Sequence, residues 1–302
     1  MKTISRNRIK PAKSDGVFDV INYLLLAVVF ILCAYPLIFV LSASISDPTA
    51  VASGQMVLWP VKPTLDGYMK ILQYGEIWRG YANTMVITLV GTLINLVMTV
   101  LFAYPLSRKD FRGRRAIMGV ITVTMFFSGG MIPSYLVIRS LNLLDSIWAL
   151  ILPVALSAWN VIITRTYFET SIPPEMQEAA SIDGCGNTRY LVAIVVPLSM
   201  PILAVMALYY SSAHWNSYFS ALLYLSDEAK YPLQMVLRKI FILNNMSMDI
   251  ISGDPELFAQ QKQLSELIKY GVIVVSSLPM LALYPLIQKH FVKGVMVGSV
   301  KG

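Results

Sequence analysis

The 302-residue chain is short of charge: Asp, Glu, Lys and Arg make up 14% of it, against 56% hydrophobic residues and a mean hydropathy of +0.62. A soluble domain of that composition would leave more apolar surface than one core can hide. The shortage is uneven, and the stretches 20–46, 80–107, 116–138, 146–164, 190–226 and 270–288 hold none of the four charged residue types. Cysteine is nearly absent. Cys33 lies inside one apolar stretch and Cys185 in a turn, so neither a disulfide nor a metal-binding spacing is expected. The two histidines, His214 and His290, are expected near opposite membrane faces, which does not suggest a shared metal. No glycine is followed by lysine, which excludes the GxxxxGK[ST] phosphate loop and with it a built-in ATPase. HExxH, GxSxG and carboxylate pairs within the apolar stretches are also missing, leaving no visible enzyme site.

What the chain does have is length in each apolar stretch, enough for a helix of roughly 20 residues to cross about 30 Å of hydrocarbon. Helix is the expected form, because backbone groups in lipid must bond within their own segment and the strict alternation of a barrel strand is missing. The fold class read from the sequence is therefore all-α: a polytopic membrane protein with six transmembrane helices, spans about 20–46, 80–107, 116–138, 146–164, 190–212 and 270–288. The 190–226 run counts once, since two crossings need about 40 residues and Ser211, Ser212, His214, Asn216 and Ser217 make its second half polar.

Basic residues set the orientation. Lys2, Arg6, Arg8, Lys10 and Lys13 precede the first span, and Arg108, Lys109, Arg112, Arg114 and Arg115 crowd the turn after the second. Arg165, Arg189, Lys289, Lys293 and Lys301 fall on the same side, which puts both termini in the cytoplasm. The net charge of +7 thus reflects topology, and no nucleic-acid partner is expected. The first apolar run is too long for a cleaved signal peptide and is expected to stay as a span.

The domain reading is a cytoplasmic tail over 1–16, one membrane domain over 17–290 and a cytoplasmic tail over 291–302. An outward loop over 47–79, with Pro48, Pro60 and Pro63, ends in an amphipathic stretch from Thr64 to Trp78. The longest inward loop covers 165–189 and a longer external one 213–269. These two loops are where function is expected.

The inward loop reads SIPPEMQEAASIDGCGNTRYLVAIVVP from Ser171 to Pro197. Ser171 can cap a helix, Pro173 and Pro174 suit its first turn, and Gly184 or Gly186 can end it in a left-handed conformation. Asn187 can then cap a second helix running into the fifth span. Met176, Ala179 and Ala180 fall at i, i+3 and i+4, a small-residue face flanked by Glu178 and Asp183. The spacing alone suits either a docking knob or a plain solvated helix–turn–helix.

The segment EAASIDG, nine residues and then IVVP (Glu178 to Gly184, Ile194 to Pro197) resembles the EAA motif of permeases in binding-protein-dependent ABC importers. It departs at Val196, where that family usually has leucine before the proline. The likeness covers about residues 64–302. PTLDGYMKIL at 63–72, NTMVITLVGTLINL at 83–96, MIPSYLVIRSLNLLDSIWALILP at 131–153 and AHWNSYFSALLYL at 213–225 resemble the carbohydrate branch, the MalG-like subunit type, and are most like permeases for aldouronates and alginate.

The resemblance implies a type I ABC importer transmembrane domain in the bacterial cytoplasmic (inner) membrane. Its partners would be a homologous second permease, two ABC ATPase subunits, an extracytoplasmic sugar-binding protein, an oligosaccharide substrate and membrane lipid. It implies no cofactor on this chain, with ATP and Mg held by the ATPases. It also implies ATPase coupling through Met176, Glu178, Ala179, Ala180, Asp183, Gly184 and Pro197. Tail contacts between the ATPases would come from Gly294, Gly298, Lys301 and Gly302.

Polar groups in spans are costly and should face the bundle interior. Asn83, Asn95, Ser128, Tyr135 and Asn160 are therefore candidates for a sugar path or for helix–helix bonds, and Trp215, Asn216 and Tyr218 for a sugar grip or an interfacial belt. A self-powered carrier or a polytopic membrane enzyme is the alternative, but a carrier calls for ionisable residues within spans and an enzyme for convergent acids or histidines. The six stretches contain no Asp, Glu, Lys or Arg.

Overall fold

The computed structural model describes residues 13–245, 265–283 and 285, which form helices joined by short connections, with no strand among them. Two compact units emerge, Met1–Ile71 with Gly253–Val274 and Leu72–Ser252 with Val275–Gly302.

In the first unit, α1 (Lys13–Ser44) is followed by α2 (Pro48–Ala52). The apolar run Phe18–Ser44 is 27 residues long with none of its most apolar window buried, and at 1.5 Å per residue it spans about 40 Å. Phe18, Leu24, Phe30, Leu32 and Leu37 are all exposed on it. A helix that is apolar all round and uncovered by its own chain belongs in hydrocarbon. Where α1 ends, serines take over the pairing: Ser46 Oγ donates to Ser42 O at 2.6 Å and accepts from Val61 N at 3.2 Å. Tyr68, on α3 (Asp66–Gln73), donates to Ser44 Oγ at 2.8 Å.

The second unit is organised around α4 (Gly75–Ser107), whose buried positions Ile77, Gly80, Thr84, Ile87, Gly91, Asn95, Thr99 and Ala103 recur every three or four residues and form one face. Against it pack α8 (Ala158–Ser171), α12 (Met200–Trp215) and α14 (Leu233–Asn245). Glycines permit the closest approaches. A Cβ on Gly80 would stand 3.2 Å from Leu233 Cα, and one on Gly91 2.5–2.8 Å from the His214 ring.

Among the described residues Phe18–Ser44, Gly75–Ser107 and Ser265–Leu283 are unbroken helices long and apolar enough to cross a membrane. The other three expected spans are bent pairs. α5 (Arg114–Phe126) meets α6 (Met131–Ser140) at 115°. The break follows from Gly129 and from Gly130, at φ 84° and ψ 176°, a conformation open to glycine alone. The continuous helix expected over 116–138 is thus interrupted.

α7 (Trp148–Ile151) runs through a 3₁₀ turn, Leu152–Val154, and turns by 50° into α8, with Ser157 capping α8 by accepting from Asn160 N at 3.4 Å. The third pair, Asn187–Leu198 and α12, bends by 80° at Ser199. Here α10 (Asn187–Tyr190) passes through a π turn, Leu191–Val195, into α11 (Val196–Leu198). Pro197 has no N–H for the Ala193 carbonyl, and Pro201 follows the bend, so two normal helical bonds are removed where the chain turns.

The polar segment expected to be external, with length for a small helix plus loop, carries α14 (Leu233–Asn245) in its described part. After α13 (Tyr218–Tyr224), α14 buries Leu233, Met235, Val236, Leu237 and Ile240, and Leu233 N donates to Thr84 Oγ1 of α4 at 2.8 Å.

Candidate functional site

The loop between α8 and α10 carries a single helix, α9 (Pro174–Ile182). Its start is set by Pro173, extended at φ −62° and ψ 137°, with Pro174 in the first position, where a missing N–H costs nothing. Ser171 ends α8 and does not cap α9. The end of α9 is a Schellman motif: Cys185 N donates to Ala180 O at 2.8 Å and Gly184 N to Ser181 O at 3.1 Å, with Gly184 left-handed at φ 72°. Gly186 caps α10, and Asn187 is its first residue.

This geometry decides which face of α9 is free. Ala180 is 8% exposed and belongs to a cluster with Phe168 of α8, Tyr104 and Leu106 of α4, and Tyr190 and Val195 beyond the bend. It seats the helix on its own chain. Met176, Glu178, Ala179, Ile182 and Asp183 are exposed, Ile182 at 86%. The open surface is thus an apolar stripe, Met176–Ala179–Ile182 at i, i+3 and i+6, bordered by Glu175, Glu178 and Asp183. Ile182 was missed by a reading centred on small residues. Pro197 is exposed on α11.

Behind α9 lies a cavity of about 490 Å³ lined by Arg108, Arg114, Arg165, Glu169, Gln177 and Glu178 among others. Its wall is a network that fixes the loop to the end of α4. Arg108 donates to both carboxylate oxygens of Asp110, at 2.9 and 2.6 Å, to Tyr104 OH at 3.1 Å and to Asn187 Oδ1 at 2.5 Å. A guanidinium fork suits such branched pairing. It holds the Asp110 carboxyl below the ordinary carboxylate range. Arg165 donates to Leu106 O at 3.0 Å and pairs with Glu169 at 2.6 Å, and Arg114 reaches the same carboxylate at 3.3 Å. Neither Arg108 nor Asn187 was singled out for this strut, because the partners are 79 residues apart.

At the other end of this unit, the α6–α7 hairpin and the segment after α13 are clasped through Asp145. Its carboxylate accepts from Asp227 N at 3.0 Å, Ser226 N at 3.1 Å and Lys230 Nζ at 2.9 Å. These donors lower its pKa to about 2, the backbone bond from Asp227 contributing most. Asn83 supports the same segment by donating to Ala229 O at 2.9 Å and Tyr231 O at 3.1 Å.

The remaining sequence candidates separate by surroundings. Tyr135 stacks on Tyr224, ring centroids 6.3 Å apart. Trp215 is 3% exposed, donates to Ser276 O at 3.1 Å and meets Tyr81 edge-on. Asn216 donates to Ser212 O and accepts from Gln234, while Tyr218 is exposed beside Phe219. Ser128 is exposed in the α5–α6 break. Asn160 is 7% exposed and faces a second cavity, of about 430 Å³. Gly294, Gly298, Lys301 and Gly302 lie outside the described residues, as do the rest of the 291–302 tail, residues 1–12 and residues 246–264.

A helical membrane protein with a braced helical loop and no enzyme motif has the makings of a transport subunit. Residues 95–297 match the family of binding-protein-dependent transport system inner membrane components, and the chain belongs to that family. It is 41% identical over 288 residues to the polygalacturonan/rhamnogalacturonan transport system permease protein YtcP of Bacillus subtilis (strain 168), covering 95% of this chain and 99% of that one. It is 41% identical over 290 residues to protein LplC of the same organism, covering 96% and 97%. A crystal structure of a bacterial ABC transporter involved in the import of the acidic polysaccharide alginate superposes with a TM-score of 0.85 at 34% identity, covering 94% of this chain and all of that one. The chain is accordingly a multi-pass membrane permease of an ABC carbohydrate importer and not an enzyme, ATP hydrolysis belonging to separate subunits.

Proposed function

We propose that this chain forms half of the passage of an importer for oligosaccharides of acidic polysaccharides in the bacterial cytoplasmic membrane. It crosses six times, each bent helix pair making one crossing, with both termini inside. A homologous permease completes the passage, a sugar-binding protein delivers from outside, and of two ATPases one seats against α9 and the other against the corresponding loop of the second permease. The observation that carries the coupling assignment is the exposed Met176–Ala179–Ile182 stripe with its acidic border, on a helix braced by Ala180 and the Arg108 network. An uncovered apolar stripe with a charged rim is an interface in waiting.

Support for an acidic substrate comes from the relatives, one named for polygalacturonan and rhamnogalacturonan and one structure for the acidic polysaccharide alginate. ATP-driven closure of the ATPases would move α9, and the packed cluster beneath it would carry that motion into α4 and α8 as a rigid body. Energy would enter from outside the membrane, in keeping with spans that lack Asp, Glu, Lys and Arg. Proteoliposomes holding the complete assembly should take up oligogalacturonate or alginate oligosaccharide only with ATP and binding protein present. Uptake by this chain alone, driven by an ion gradient, would establish the self-powered carrier instead.

A further inference from the structure

The second cavity, about 430 Å³, lies among α7, the start of α8, the end of α12 and α13, and falls in the size range of small-molecule sites. Ser157, Asn160, Tyr209, Tyr210, His214 and Ser220 are among its lining residues, and among the described residues no Asp, Glu, Lys or Arg lines it. The lining combines hydroxyls, an amide and an imidazole with two aromatic rings.

Two of these groups are prepared for a ligand. Asn160 is 7% exposed, yet its side-chain amide bonds no group among the described residues, the bond to Ser157 coming from its backbone N–H. The amide lines the cavity with its donors and acceptor uncommitted, so they are free to bond whatever enters it. His214 is oriented from behind. Asn95 Nδ2 donates to the Val154 carbonyl at 2.5 Å, which turns Oδ1 toward His214 Nε2 at 2.7 Å. The carbonyl can only accept, so Nε2 must be the donor and Nδ1 of the neutral ring keeps its lone pair. Tyr210 is likewise held by Thr99 at 2.7 Å.

We propose that this cavity is a subsite for one pyranose ring of the transported oligosaccharide, recognised through its hydroxyls and its apolar ring face and not through a carboxylate. A sugar hydroxyl both donates and accepts, matching serine and amide groups, and its C–H face suits tyrosine. A buried carboxylate would need a cation or convergent N–H donors, and no cation lines the cavity among the described residues. The assignment rests on the importer reading. It adds that any uronate charge is answered elsewhere in the passage.

The test uses the full assembly in proteoliposomes, with Cys33→Ser and Cys185→Ser and the probe Ser220→Cys, labelled by a hydrophilic maleimide. Trigalacturonate and its carboxyl-reduced, neutral counterpart should both slow labelling. Adding Asn160→Leu should raise the half-protecting concentration of both by about three- to tenfold, the worth of one or two neutral hydrogen bonds. Asn160→Ser gives the same reading if the leucine variant does not assemble. No labelling, labelling that neither sugar slows, protection by the acidic sugar alone, or unchanged protection in both Asn160 variants overturns the subsite. If the parent assembly takes up neither sugar nor an alginate oligosaccharide with ATP, the reading as an importer of acidic oligosaccharides fails and the subsite with it.

Discussion

Two glycines stand two residues apart in the bend after α9, and the structure predicts opposite consequences for replacing them. Gly184 is left-handed at φ 72°, whereas Gly186 is extended at φ −69° and ψ 157°, a conformation open to any residue. A Cβ on either meets nothing within 4 Å, so backbone conformation alone separates them. A left-handed non-glycine residue costs roughly 1–2 kcal/mol, with β-branched valine toward or beyond the upper end. That cost falls on the turn holding the Cys185–Ala180 and Gly184–Ser181 bonds. If the ATPase engages only the native turn, Gly184→Val should lower engagement by about 5- to 30-fold, since about 1.4 kcal/mol is one factor of ten. Gly186→Val should change it less than twofold. The assay is sugar transported per ATP hydrolysed in the reconstituted assembly, with membrane insertion checked by yield. Equal coupling in the two variants would refute the role given to the turn.

Other consequences follow from particular contacts. Ile182→Asp, at an 86% exposed position, should leave thermal stability within about 0.5 kcal/mol, as for surface substitutions generally, while weakening capture of the ATPase. Gly91→Ala brings a methyl within 2.5–2.8 Å of the His214 ring and should destabilise by about 1–3 kcal/mol as an overpacked core does. His214→Ala should rescue much of that loss in a double-mutant melting experiment. The Asp145 pKa is lowered to about 2, so its contribution is present above the usual carboxylate pKa near 3.9 and is lost as pH falls toward 2. Between pH 5 and 9 the clasp should be insensitive to pH, and chemical shifts of the Ser226 and Asp227 amides in that range check it.

Much of this was legible in the sequence because membrane constraints are written in composition. Three of the expected spans hold the uninterrupted helices Phe18–Ser44, Gly75–Ser107 and Ser265–Leu283, and Gly184 is the left-handed residue that ends α9. What composition could not supply was direction. The run 116–138 is apolar throughout, but Gly129 and Gly130 turn it by 115°, and hydropathy does not register a turn. Ala180 reads as part of an open small-residue face, whereas it is the seat of α9, and Ile182 takes the outward position. Register on a helix as short as α9 depends on where Pro173 starts it, two residues later than Ser171 would. Asn83 and Trp215 bond helices and loops far along the chain. No local pattern distinguishes such service from sugar contact.

The central claim is that the exposed face of α9 is where the ATPase seats. The most direct measurement is to purify this chain in mild detergent from its native membrane, as the parent and as Glu178→Lys and Ile182→Asp. The parent should bring an ATP-hydrolysing subunit and a second permease with it. Both variants should keep the permease and lose the ATPase. Retention of the ATPase by both variants, or a stable parent chain that purifies with no nucleotide-binding partner, would contradict the account.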